Sequence, residues 1–428
     1  MIAKIEEFKS TLSAIRERIA TAKRRGTRSG YIDYHGCMWV CNDLNEILSE
    51  TEDRTAKEEY ELGYAISALV LLNCAKLAST ADSSSGCLND TIAYAQEQIS
   101  KICAAVDKNS DAAKFIFEQG LKDAANKAFR GWEHDAYDFL ASIAMLSLPH
   151  NVDKLYILLD EIDEKLSQNE YTSYHIASDK VVRLAAINAV HGEDAADKFI
   201  SDNLNYDEMR RIAIRNAIDR ENYPYAEKLC QERLEREGET RHFYSRPSEW
   251  RYLLFEIYDK ADDTEKKIDT AEDLLFRFDS KYYAVLKNLL TEKGVWQTEY
   301  PALRLRLSQE MPYNIYLEIL SKENEVQLLL EKVHEYPSSV FTYGKQLAKE
   351  YAAETFAICL EMIYKEAAEA DNRTKYKKVC GKIKKLFEFG GTEEADIAIA
   401  ELITKYPRRP AMLEELDSLE VKLAKKKI

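Results

Sequence analysis

Glycine and proline are scarce in this chain, 14 and 8 among 428 residues, where ordinary usage would supply about 30 and about 20. So few turn formers disfavour architectures built from many short strands and tight turns, and favour long helices joined by short loops. Long apolar runs are missing too. The longest, Ala65 to Ala75, contains Ser67 and Asn73 and runs into Lys76, too short to span a bilayer. Positive charge is in deficit: the formal net charge is −15. That argues against a dedicated binder of nucleic acid or anionic membrane, although a local basic patch is compatible with it. The opening segment, Met1 to Lys9, carries charges where an export signal needs an apolar stretch. The eight cysteines are therefore expected to be reduced thiols of a cytoplasmic protein, mostly buried as small apolar residues. No glycine-rich phosphate loop of standard spacing occurs.

What is present is helical periodicity. Leu62, Ala65, Ile66, Leu69, Leu72, Cys74 and Leu77 recur at threes and fours, as do Ile268, Ala271, Leu274 and Leu275, then Val326, Leu329, Leu330 and Val333. Each set is one buried stripe of a helix. No alternating run enriched in β-branched residues appears, so no sheet is expected. Tyrosine is abundant, at 26 residues, and its apolar body with one polar tip suits half-buried positions between stacked helices. Breaks are expected at Arg25–Gly30, Thr80–Gly86, Leu148–Asn151, His191-Gly192, Gly294, Met311-Pro312 and Phe389–Thr392. In the last of these, Thr392 reads as an N-cap followed by Glu393 and Glu394 in the first turn. Tyr300-Pro301, Tyr336-Pro337 and Tyr406-Pro407 recur at intervals close to those of helix-hairpin solenoids, about 34–47 residues or twice that.

The expected fold is all-α: an α-solenoid of antiparallel helix hairpins, tetratricopeptide-like, with an N-terminal helical bundle. Residues 1–110 form the bundle and residues 111–428 the repeat array, closed by a capping helix near 410–424 with Met412, Leu413, Leu416, Leu419 and Leu423 on one face. A solvated tail, Lys425-Lys426-Lys427, follows. Each hairpin carries a stripe it cannot bury alone, so neighbours must stack.

Two sets of segments resemble a family. Tyr376 to Leu386, Gly390-Gly391, Ile397 to Leu402 and Tyr406-Pro407-Arg408-Arg409-Pro410-Ala411 through Leu416 resemble the carboxy-terminal end of bacterial SWIM zinc-finger proteins. Gly30-Tyr31-Ile32-Asp33-Tyr34 and Ala81 to Gly86 are similar to the helical region that follows the finger in those proteins. The finger itself uses Cys-x-Cys and then Cys-x-His, and neither occurs here. The resemblance therefore implies the helical part without its zinc, and no catalytic role comes with it.

No catalytic, metal or cofactor site is expected. His35, Cys37 and Cys41 form the tightest His/Cys group, but zinc usually takes paired motifs and four ligands. Cys37 and Cys41 lie one turn apart on what reads as a buried helix face. Cys74, Cys230, Cys359 and Cys380 occupy apolar helical positions, and the acids Asp160, Glu161, Asp163 and Glu164 read as a solvated face. The one charge anomaly is the acid-free stretch Thr374 to Leu386. On a helix, Lys375, Lys378, Lys382 and Lys385 share one face while Val379, Ile383 and Leu386 face inward, with Arg408 and Arg409 after the next helix. These six residues are the candidate contact to phosphate or to a partner. Lys23, Arg24, Arg25 and Arg28 form a smaller basic group at a loop. The leading expectation is a non-enzymatic scaffold that binds another protein, with no membrane association. The alternative is an accessory subunit of a nucleic-acid-processing or defence complex that contacts phosphates through the C-terminal basic face.

Overall fold

The computed structural model describes residues 2–129, 133–166, 172–237, 247–277 and 279–425. Lys426 and Lys427 of the expected tail lie outside them. The chain divides into two compact units, Met1–Gly238 and Glu239–Ile428, and nearly all of both is α-helix, as the periodicity requires. No described helix is long and apolar enough to cross a membrane.

The first unit contains α1 (Ile2–Gly26), α2 (Tyr34–Ala56), α3 (Tyr60–Leu77), α4 (Cys87–Ala105), α5 (Asp111–Ala124), α6 (Glu133–Ala144), α7 (Val152–Leu166), α8 (Thr172–His191), α9 (Glu193–Asp202), α10 (Asp207–Asp219) and α11 (Tyr223–Glu237). Helices α1 to α4 pack on one another, α6 lies against α4, α5 and α8, and α10 against α8, α9 and α11. One apolar cluster runs from Leu12 to Ala186. The boundary expected at 110/111 is therefore not a break in the core; the contacts divide the chain at 238/239 instead, because α3 and α4 bury their stripes on α5 and α6.

The expectation of no sheet fails at one place. Thr27–Arg28 (β1) and Tyr31–Ile32 (β2) form an antiparallel hairpin inside a segment that reads as a plain loop. The two linking residues, Ser29 (φ 52°) and Gly30 (φ 82°), both have positive φ, the signature of the mirror-image turn whose twist matches paired strands. Two-residue strands are too short to show alternation. Ile32 also bridges to Ala81, which holds the hairpin against the loop that precedes α4.

The second unit contains α12 (Glu249–Lys260), α13 (Thr264–Phe276), α14 (Tyr282–Glu292), α15 (Trp296–Glu310), α16 (Tyr313–Lys322), α17 (Val326–Glu335), α18 (Val340–Leu347), α19 (Ala352–Glu369), α20 (Arg373–Glu388), α21 (Thr392–Lys405) and α22 (Pro410–Ala424). Each helix packs on the next in sequence, and in the last third also on the next but one: α18 on α20, α19 on α21, α20 on α22. This is nearest-neighbour stacking of helices that cannot bury their stripes alone. The final helix buries Met412, Leu416, Leu419 and Leu423, with Leu413 half-buried, on the face expected of a cap. Tyr336 and Tyr406 each end a helix just before a proline. Pro301, by contrast, lies inside α15, so Tyr300-Pro301 is not an equivalent position and the 36-residue interval does not mark a repeat.

Tyrosine tips and acids tie helices together. Tyr64 donates to Asp123 at 2.9 Å, joining α3 to α5, and Tyr137 donates to Asp163 at 2.6 Å, joining α6 to α7. Tyr94 donates to Glu52 at 3.2 Å, joining α4 to α2. Burial holds the Asp123 carboxyl above the ordinary carboxylate range, against the opposing hydrogen bonds from Tyr64 and Gln119.

Many helices end without glycine. Glu58, Glu221, Asp262 and Asn324 take positive φ, and the residue after each donates back into the last turn: Asn222 to the Ala217 carbonyl at 2.7 Å, Asp263 to Tyr258 at 3.0 Å, Glu325 to Leu320 at 2.9 Å. These closures normally use glycine. Thr392, expected as an N-cap, is instead the first residue of α21, and Gly391 is the cap. A Cβ on Gly391 would stand 2.6 Å from the Leu386 side chain, so a side chain there would have to displace that buried leucine.

Two substitutions with opposite signs test this account. Glu221→Gly removes the cost of a left-handed non-glycine residue and raises stability by about 1 kcal/mol. A methyl at Gly120 would lie 2.7 Å from Ile143, so Gly120→Ala overpacks the α5–α6 contact and lowers stability by about 1–3 kcal/mol. Denaturant unfolding followed by circular dichroism reads both.

Candidate interaction surface

Helix α20 starts from Asn372, whose side chain accepts from the Lys375 N–H at 3.1 Å. Tyr376, Val379, Cys380, Ile383 and Leu386 form its buried stripe. The stripe fixes the direction of each lysine. Of the four expected on one face, three are engaged within the fold. Lys375 pairs with Asp371 at 3.0 Å. Lys382 is half-buried, bonds Glu366, and lies over the Phe341 ring at 4.9 Å. Lys385 donates to the Phe341 carbonyl at 3.1 Å. Lys378 is exposed with no ion pair among the described residues.

Arg409 is engaged as well. Its guanidinium donates to the Ala367 carbonyl at 2.8 Å and stacks 4.1 Å from the Tyr406 ring centre, satisfying an orphan carbonyl in the last turn of α19. Arg408 is exposed and has no ion pair among the described residues.

The neighbouring stripe of the same helix is different. Where α22 packs on α20, a groove of about 520 Å³ remains. Cys380, Gly381, Leu419 and Leu423 make its floor, and Lys377, Lys384, Lys422 and Lys425 stand around it. A Cβ on Gly381 would meet nothing within 4 Å, so the floor is open there. The one acid in the lining, Glu415, bonds Arg373 at 2.8 Å. Lys384 is 3.7 Å from Glu388, while Lys377, Lys422 and Lys425 have no ion pair among the described residues. Burial pushes the Cys380 thiol up to about 11, so it serves the floor as an apolar group rather than as a nucleophile.

Lys377 and Lys384 belong to the basic stretch visible in the sequence, but Lys422 and Lys425 come from a helix 38 residues or more further along. The seven-residue spacing of Lys377 and Lys384 across Gly381 was the available signal, and α22's packing angle was not.

Elsewhere the early basic group is partly paired: Arg24 with Glu17 at 2.7 Å, Arg25 with Asp43 at 3.3 Å, and Arg28 lying 5.9 Å from the exposed Trp39 ring. The acids of α7 do more than face solvent, since Asp160 bonds Arg183 at 2.6 Å and Asp163 accepts from Tyr137. The thiols of Cys103, Cys230 and Cys359 are pushed up to about 12 by burial, the behaviour of core cysteines. His35 is exposed and packs edge-on against Tyr34, away from the buried Cys37 and Cys41. No family model matches the chain, and no curated protein matches it.

The position of Arg409 predicts a purely structural phenotype. Arg409→Ala should cost about 1–2 kcal/mol through the lost carbonyl bond and ring contact, measured by denaturant midpoint, with little dependence on salt.

Proposed function

We propose that this chain is a non-enzymatic, tetratricopeptide-like helical scaffold of the cytoplasm, and that the groove between α20 and α22 holds an acidic amphipathic segment of another protein. The observation that carries this reading is four lysines ringing an apolar floor, with a single, already paired acid among them. A volume near 520 Å³ accepts a few side chains and not a folded domain. An apolar face against the floor with carboxylates toward the lysines is the helix-in-groove mode of recognition. The net charge of −15 sharpens the contrast, because a basic groove on an acidic protein steers acidic partners to one place. The resemblance of Tyr406 to Leu416 and the segments around it to the finger-less helical part of SWIM proteins supports a binding rather than a catalytic role.

A second reading, contact with nucleic-acid phosphates in a processing or defence complex, is favoured by Lys378 and Arg408, both exposed without an ion pair among the described residues.

Fluorescence anisotropy separates the two readings. With a labelled amphipathic Glu/Leu helical peptide, the combined substitution Lys377→Glu, Lys384→Glu, Lys422→Glu should weaken binding more than about tenfold, a loss of about 1.4 kcal/mol or more. Lys378→Glu with Arg408→Glu should leave it unchanged. Peptide affinity that survives the triple reversal would remove the groove reading. A labelled single-stranded oligonucleotide released by Lys378→Glu with Arg408→Glu, and by raised salt, would favour phosphate contact instead.

A further inference from the structure

Cys37 and Cys41 project one helical turn apart from the buried side of α2. The structure brings a third thiol to them from a distant part of the sequence: Cys87, the first residue of α4. The three Sγ atoms all lie within 4.8 Å of one another, and those of Cys37 and Cys87 are 3.8 Å apart. Cys37 and Cys41 are buried, while Cys87 is half-exposed, so the cluster opens to solvent on one side.

The spacing is that of a metal-thiolate shell. A tetrahedral ion with metal–sulfur bonds of about 2.3 Å holds its sulfurs about 3.8 Å apart. Three sulfurs with no carboxylate or imidazole beside them among the described residues select a soft or borderline d¹⁰ ion over magnesium or calcium. Cys87 is the first residue of α4 and Cys37 lies in the first turn of α2, positions that favour negative charge. Burial acts the other way, pushing the Cys37 thiol up to about 11 and the Cys41 thiol further up, so the charge of the ion itself must displace their protons.

The loop before α4 is itself pinned in place. The Asp82 N–H donates to the Ile32 carbonyl at 2.8 Å, the Asp82 carboxylate accepts from the Ser84 N–H at 3.1 Å and the Ser84 hydroxyl at 2.6 Å, and Ser85 Oγ lies 3.0 Å from Cys87 Sγ. Such outer contacts orient metal-binding side chains.

We propose that Cys37, Cys41 and Cys87 form a binding site for one thiophilic d¹⁰ cation of the zinc, cadmium or copper(I) class, with the fourth position on the open side taken by water. Binding breaks three S–H bonds and forms three metal–sulfur bonds, and three protons leave to solvent. The bound ion ties the start of α2, with its hairpin, to the start of α4.

The full chain, reduced and freed of metal by chelation, tests this. Equimolar cobalt(II) should produce thiolate-to-cobalt charge-transfer absorption and the strong visible bands of a tetrahedral site, displaced by zinc(II), with one metal per chain in native mass spectrometry. Cys87→Ser and, separately, Cys41→Ser should weaken uptake more than tenfold, with unchanged far-ultraviolet circular dichroism confirming the fold. Cys359→Ser, a buried thiol of the second unit, should leave uptake intact. No charge-transfer band at equimolar cobalt, or a band that persists unchanged in Cys87→Ser, overturns the site. So does a Cys37–Cys87 disulfide in peptide maps of the isolated protein whose reduced form then takes up no metal.

Discussion

Each helix of this protein carries an apolar stripe that its own backbone cannot cover, and the rest of the structure follows from where those stripes find partners. In the first unit they converge, so that one cluster extends from Leu12 to Ala186 through α1 to α8. In the second they pair serially, each helix closing on the next and, toward the end, on the next but one. A serial stack leaves a stripe exposed at its end unless a last helix covers it, and Met412, Leu416, Leu419 and Leu423 of α22 provide that cover. The groove lies between α20 and this last helix, lined by residues of both.

Composition and packing explain one another. An acidic, tyrosine-rich chain can join helices through phenol-to-carboxylate hydrogen bonds, and Tyr64–Asp123, Tyr137–Asp163 and Tyr94–Glu52 are such ties. Tyrosine supplies apolar area and satisfies a half-buried acid with one side chain. Basic residues are drawn into the same work. Arg210 is almost fully buried and donates to the carbonyls of Leu204 and Leu229, and Arg409 caps α19. An exposed ion pair contributes only about 0–1 kcal/mol, so these buried carbonyl contacts matter more to the fold than the many surface pairs.

The shortage of glycine has a structural counterpart. Glu58, Glu221, Asp262 and Asn324 take left-handed conformations at helix ends, while several helical glycines, though not Gly381, sit where helices touch. Gly120 faces Ile143, and Gly36 faces the Gly26 carbonyl, contacts that leave no room for a Cβ.

The sequence by itself determined the all-α class, the buried stripes, the capping helix and the breaks marked by glycine or proline, because each of these is a local property with a 3.6-residue period or a specific turn former. It did not disclose the breaks at Glu58, Glu221, Asp262 and Asn324, where no glycine or proline stands and where the turn tendency of Asp262 and Asn324 is one polar residue among many, nor the Thr27–Ile32 hairpin, whose strands are too short to alternate. Half of the groove was legible, since Lys377 and Lys384 stand in an acid-free stretch. On the neighbouring face Asp371, Glu366 and the Phe341 carbonyl engage Lys375, Lys382 and Lys385, and only Lys378 of its four lysines has no ion pair among the described residues. Only the tertiary structure could bring Lys422 and Lys425 beside α20, or set Cys87 within 3.8 Å of Cys37. Periodicity reports which side of a helix is buried, and the meeting of two such sides depends on packing angles that no local pattern encodes.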